Sequence, residues 1–142
     1  MTAAPVTICC AVTRASVSMG DDAAAPNRRD YELPVAPDEP DPRGACLKAI
    51  VLDYGYVPGV YGGSTWLASV DGVRAAVVVR RADGTTVELI PIPGAALPAD
   101  IPERLDIHFA YYLNVDPARL LHQIAAGERI ERVYTPDAPW MA

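Results

Sequence analysis

An α+β fold, with a sheet of about six strands in the order ββαββββα, is predicted by three features of the sequence. The N-terminal run Val6–Val12 alternates apolar and polar or small residues. Three β-prone runs between Thr65 and Ile92 are separated by short turns built on Asp71-Gly72 and Ala82-Asp83-Gly84. Two Asp-Pro pairs, Asp41-Pro42 and Asp116-Pro117, each open an apolar stripe that a glycine closes. The sheet is expected to be antiparallel or mixed, with both helices packed on one face. A hairpin followed by a helix and further strands is also the order of ubiquitin-like β-grasp folds.

The first strand rests on Val6, Ile8, Cys10 and Val12 alternating with Thr7, Cys9, Ala11 and Thr13, the two-residue period of a half-buried strand. Val17 and Met19 take the opposite parity, so the strand is expected to end or bulge near Arg14 and Ala15. Gly20 to Asn27 reads as a loop. Tyr31, Leu33 and Val35 form a second strand, and Pro34 places it at an edge because proline cannot donate to a ladder. At the first helix Asp41 is the expected cap and Pro42 the first helical residue. Cys46, Leu47, Ile50, Val51 and Tyr54 make its buried stripe, Gly44 weakens its first turn, and Gly55 stops it.

Tyr56 to Gly63 is too rich in Gly and Pro for regular structure. The meander Thr65–Val70, Val73–Arg81 and Thr85–Ile92 follows, with Asp71-Gly72 as a two-residue hairpin turn. A long loop from Pro93 to Arg104 leads to a sixth strand on Ile107, Phe109 and Tyr111. The second helix buries Leu120, Leu121 and Ile124 and ends at Gly127. Ile130 to Tyr134 is an expected short strand, and residues 135–142 an expected tail of one domain spanning 1–142. Trp66, Leu67, Val77, Val79, Val87, Leu89, Ile107 and Phe109 are the expected heart of the sheet. Arg74 and Arg80 are expected on a wetter face opposite Val77.

Apolar residues make up 51% and charged residues 21% of the chain, an ordinary globular composition. No run approaches the roughly 18 apolar residues of a membrane span, and no basic residue precedes Arg14, so a cytoplasmic protein with no membrane partner is expected. The three cysteines, Cys9, Cys10 and Cys46, lack C-x-x-C spacing and read as reduced, mostly buried thiols. Eleven arginines against the single Lys48, with abundant alanine, suggest a high-GC bacterial or phage coding sequence.

The sequence contains no H-E-x-x-H, Cys/His cluster, G-x-S-x-G or P-loop, and its two histidines, His108 and His122, sit on polar sides of their elements. No catalytic residue, cofactor or metal ligand is assigned, and the chain is read as a protein that is not an enzyme. An enzyme using Asp21 or Asp22 as a general base near His108 ranks last, because no orienting partner or oxyanion site accompanies them.

Charge is the informative feature. Seven of the 18 acidic residues lie between Gly20 and Pro42, against Arg28 and Arg29, so this segment supplies −5 of a net −6. An acidic flank on a nearly neutral body attracts cations or basic partners and repels nucleic acid.

The stretches Arg14-Ala15-Ser16-Val17-Ser18-Met19-Gly20-Asp21-Asp22 and Tyr56-Val57-Pro58 to Gly62-Gly63-Ser64-Thr65-Trp66 resemble a group of small uncharacterised bacterial proteins that share an R-x-S-V-x-M-x-D-D stretch and a Y-x-P…G-G…W stretch. The resemblance covers about the first half of the chain and implies no activity. In size and charge the chain also looks like the immunity proteins of bacterial toxin systems.

The leading expectation is therefore a non-catalytic binding protein, an immunity or inhibitor protein, that docks on a basic protein partner. Its expected contacts are Asp21, Asp22, Asp30, Glu32, Asp38, Glu39, Tyr56 and Tyr61, with a homodimer through the edge strand as a further expectation. The alternative is a small-molecule or metal-binding module on the Asp21-Asp22 loop and the Tyr56–Trp66 loop.

Overall fold

The computed structural model describes residues 4–15, 28–57, 64–80, 87–112 and 117–127. Its elements are β1 (Val6–Arg14), β2 (Arg28–Val35), α1 (Pro42–Lys48) continued by a π-helical turn (Ala49–Asp53), β3 (Ser64–Val70), β4 (Val73–Arg80), β5 (Val87–Pro91), β6 (Arg104–Tyr111) and α2 (Pro117–Ala125). The strands form one mixed six-stranded sheet in the order β2-β1-β6-β3-β4-β5. All neighbours pair antiparallel except β1 and β6, which run parallel inside the sheet. The fold is α+β, with the element order that the sequence predicts. The last strand returns between the first hairpin and the meander, in keeping with the β-grasp-like order. Among the described residues no helix is long and apolar enough to cross a membrane.

β1 keeps its alternation through Arg14 and then ends, so the parity change at Val17 needs no bulge within the described strand. β2 pairs with β1 from Val6↔Val35 to Thr13↔Arg28, and it is an edge strand, as Pro34 requires. At the start of α1 the Asp41 carboxylate accepts the Gly44 amide at 3.1 Å, and Pro42 opens the first turn. The helix then widens: Tyr54 donates its amide to the Ala49 carbonyl, a five-residue step, before Gly55 takes a left-handed φ of 60° and ends it.

The β3–β4 turn has Asp71 at φ 49° and Gly72 at φ 81°, the left-handed pair of a type I′ hairpin. Asp71 also fixes β6: its amide donates to the Asp106 carbonyl at 2.7 Å, and its carboxylate accepts the Asp106 amide at 2.9 Å. The turn expected at Ala82-Asp83-Gly84, the parity switch at Val17 and Met19, the strand at Ile130–Tyr134 and the tail 135–142 lie outside the described residues.

Two apolar layers form on the two faces of the sheet. On the first, Ile8, Cys10, Val12, Trp66, Leu105, Ile107 and Phe109 pack under α1 through Cys46, Leu47, Ile50 and Val51. The Cys10 and Cys46 thiols meet there in a hydrogen bond, which together with burial pushes the Cys10 thiol above its usual range. On the second, Leu67, Val77, Val79 and Ala110 pack under α2 through Leu120, Leu121 and Ile124.

The helices thus lie on opposite faces, which corrects the expectation of a shared one. Leu67, Val77 and Val79 form an apolar patch that α1 cannot reach, and α2 supplies its cover. Trp66, Ile107 and Phe109 are core residues as expected, whereas Val87 and Leu89 on the outer strand β5 are only half-buried.

Arg74 differs from expectation, and Arg80 meets it only in part. A bulge in β4 inserts Ala75, so Arg74 pairs with Ser69 and returns to the face of Val77. Arg80 lies opposite Val77 as expected, but that face is the packed first layer rather than a wetter one, and its guanidinium donates to the Val57 carbonyl at 3.0 Å.

Candidate functional site

α2 covers the second face over β3, β4, β5 and the Ala110 end of β6. The rest of β6, with β1 and β2, is uncovered by any described helix, and its side chains follow from register. β1 contributes the small residues Cys9, Ala11 and Thr13. On either side stand charged or polar residues of β2 and β6, in rows Glu32–Cys9–Arg104, Asp30–Ala11–Asp106 and Arg28–Thr13–His108. Short side chains flanked by long ones leave a shallow trough along β1, with a hollow of about 510 Å³ beside Thr13, Arg28, Ser69 and His108. His108 Nδ1 and Thr13 Oγ1 are hydrogen-bonded at 2.8 Å across the parallel pair, and both sit at the solvent margin. The ion pairs Arg28–Asp30 and Arg104–Asp106, each at 3.8 Å, join side chains two apart on one strand. Their exposure makes them worth at most about 1 kcal/mol each.

The described part of the acidic flank follows the sheet margin. Asp30 and Glu32 point to solvent from β2, and Asp38 and Glu39 occupy the connector between β2 and α1. Glu39 Oε1 accepts the Asp41 amide at 3.2 Å, which holds the connector in a turn ahead of the helix. Between β2 and α1 runs a second groove of about 270 Å³, floored by Leu33, Val35, Cys46 and Ala49 and bordered by Glu39, Asp53 and Tyr54. Tyr54 is 55% exposed, and its ring centroid lies 5.1 Å from that of Tyr31 with the two planes tilted by 45°. Neither Asp53 as a rim residue nor the groove itself follows from local sequence pattern. On the helix side, the i, i+3 spacing of Cys46 and Ala49 carries the signal of the groove's floor.

Of the expected contact residues, Asp30, Glu32, Asp38 and Glu39 are brought onto this one margin. Asp21, Asp22 and Tyr61 lie outside the described residues. Tyr56 is corrected from an interface anchor to a core residue: it is 3% exposed, with its ring 5.7 Å from Phe109 and 6.2 Å from Tyr31. Burial pushes its hydroxyl up to about 12, and Tyr31 rises for the same reason. Trp66 is likewise core, fully buried, with its indole N–H donated to Ser64 Oγ at 2.9 Å.

Cys9 is exposed in the trough, whereas Cys10 and Cys46 are buried. Among the described residues no group of three or more His, Cys, Asp and Glu side chains gathers in a way that holds a metal ion. The arrangement offers a recognition surface: an edge strand, an apolar groove beside it and carboxylates along both. Comparison with protein families, with curated proteins and with solved structures finds no match to the chain.

Proposed function

We propose that this chain is a non-catalytic protein-binding module that docks its acidic margin on a basic protein partner, in the manner of an immunity or inhibitor protein acting on a nuclease toxin. The observation that carries this reading is the position of Asp30, Glu32, Asp38 and Glu39 on one edge strand and its connector, beside a groove whose rim adds Asp53. Clustered carboxylates at the rim of an apolar surface speed encounter with a basic partner and select its orientation, while the apolar surface supplies the lasting contact. A nuclease that grips phosphates presents the complementary potential.

The test is association kinetics with the protein encoded in the adjacent reading frame, measured at low and high ionic strength. Reversing Asp30, Glu32, Asp38 and Glu39 to Lys is expected to slow association at least tenfold at low salt, roughly the span of electrostatic steering, and to flatten its salt dependence. An association rate that neither the reversals nor salt alters removes the reading.

A further inference from the structure

We infer that the free edge of β2 receives an extended segment of the partner as an added strand, one whose residues alternate between apolar and basic. This rests on the binding reading above and specifies the form of the partner. β2 is outermost in the sheet, and its far side is unpaired among the described residues. Pro34 pairs with Thr7 inside the β1–β2 ladder, which is possible only if its nitrogen faces away from β1. The two-residue period then puts the amide and carbonyl groups of Asp30 and Glu32 on the free edge too, together with the Pro34 carbonyl. Two complete pairing positions and one lone acceptor are enough to seat a short strand.

The two faces of such a strand meet different surroundings. Alternate side chains on the α1 side fall over the groove between β2 and the helix, floored by Leu33, Val35, Cys46 and Ala49 and flanked by the exposed ring of Tyr54. Apolar side chains fit there. The intervening side chains fall beside Asp30 and Glu32, and the ends of the groove are marked by Glu39 and Asp53. Basic side chains fit those positions. Arg28 and Arg29 stand at one end of the strand only, and the Arg28–Asp30 pair is too exposed to cancel the carboxylate excess.

The probe is a synthetic peptide of alternating valine and lysine, about seven residues long, titrated into the full chain and read by fluorescence anisotropy and by amide protection at Asp30 and Glu32. Two changes break the backbone pairing: one leaves every charge in place, and the other is read against Glu32→Gln, which removes the same carboxylate but keeps the amide. N-methylation of the peptide's edge-facing amides removes its donors. Glu32→Pro removes one outward amide of the protein in the orientation that Pro34 already tolerates, and its melting temperature reports whether the fold survives. Each is expected to weaken binding about tenfold, the value of a lost hydrogen bond or two, and Asp30→Lys with Glu32→Lys is expected to weaken it further.

Binding that falls on charge reversal but is indifferent to N-methylation overturns strand addition and leaves the acidic-margin reading standing. A peptide that does not bind the wild-type chain, alongside salt-dependent association with the adjacent gene product, does the same. A chain that sediments as a dimer, and as a monomer once Glu32 is proline, assigns the edge to a second copy and overturns the peptide as occupant.

Discussion

The carboxylate of Asp41 occupies the space that a β-carbon on Gly44 would require. The two residues form one device: the cap reaches the Gly44 amide because the third helical position carries no side chain. An alanine in place of glycine inside a helix normally stabilises by about 1 kcal/mol, and loss of an aspartate cap costs about the same. Gly44→Ala alone is therefore expected to leave stability nearly unchanged, because the cap must swing away. In an Asp41→Ala background the same substitution is expected to stabilise by about 1 kcal/mol. A double-mutant cycle by chemical denaturation reads this coupling. A full gain from Gly44→Ala in the wild-type chain would show that the cap survives the added methyl group.

Trp66 joins the two halves of the sheet. It pairs with Val78 on one side and Tyr111 on the other, and its ring lies 4.8 Å from that of Tyr111. Because it is fully buried, Trp66→Ala is expected to cost about 3–5 kcal/mol. Ser64→Ala tests the polar end separately: the indole N–H loses its acceptor inside the core, at a cost of about 1–3 kcal/mol. A loss under about 1 kcal/mol for Trp66→Ala would contradict full burial of the ring.

Much of this fold is legible in local sequence because its devices are local. The alternation in β1, the proline that marks β2 as an edge, the Asp41-Pro42 helix start and the Asp71-Gly72 turn each act through neighbouring residues. The parts that escape are relations between elements. Parity states that Val77 and Val79 share a face but not which helix covers it, so the placement of α2 opposite α1 follows only from the assembled sheet. The bulge at Ala75 has no compositional mark, since alanine suits either register, and it carries Arg74 across. Tyr56 follows a glycine, outside any periodic element, and nothing near it reports that Phe109 and Tyr31 close around it. The described half of the margin, Asp30 to Glu39, is legible as a run of charge. The groove beside it requires β2 and α1 to be set side by side.

α2 is held to the sheet chiefly by Leu120, which is fully buried over the second apolar layer, with Leu121 and Ile124 half-buried beside it. Leu120→Ala is expected to cost about 2–5 kcal/mol, whereas Arg119→Ala on the exposed side of the same helix is expected to stay within about 0.5 kcal/mol. Thermal or denaturant melting of both variants checks the contrast. Equal effects would mean that α2 does not cover Leu67, Val77 and Val79.

Alkaline pH offers a test of the aromatic core at Tyr56. Its hydroxyl is raised from an ordinary value of 10.0 to about 12, first by burial and then by the neighbouring Tyr31, against the opposing pull of Arg14. Between those two pH values the unfolded chain has released the proton and the folded chain retains it, so the folded state binds more protons and stability falls as pH rises. The contribution is whole below pH 10, declines through the interval and is exhausted above about pH 12, for a total of up to about 3 kcal/mol. Tyr31, raised by burial in the same direction, steepens the decline. Tyr56→Phe removes the titrating group while keeping the ring against Phe109, and it is expected to flatten the fall in unfolding free energy across this window. An unaltered slope in the Phe variant would place the titrating group elsewhere in the chain.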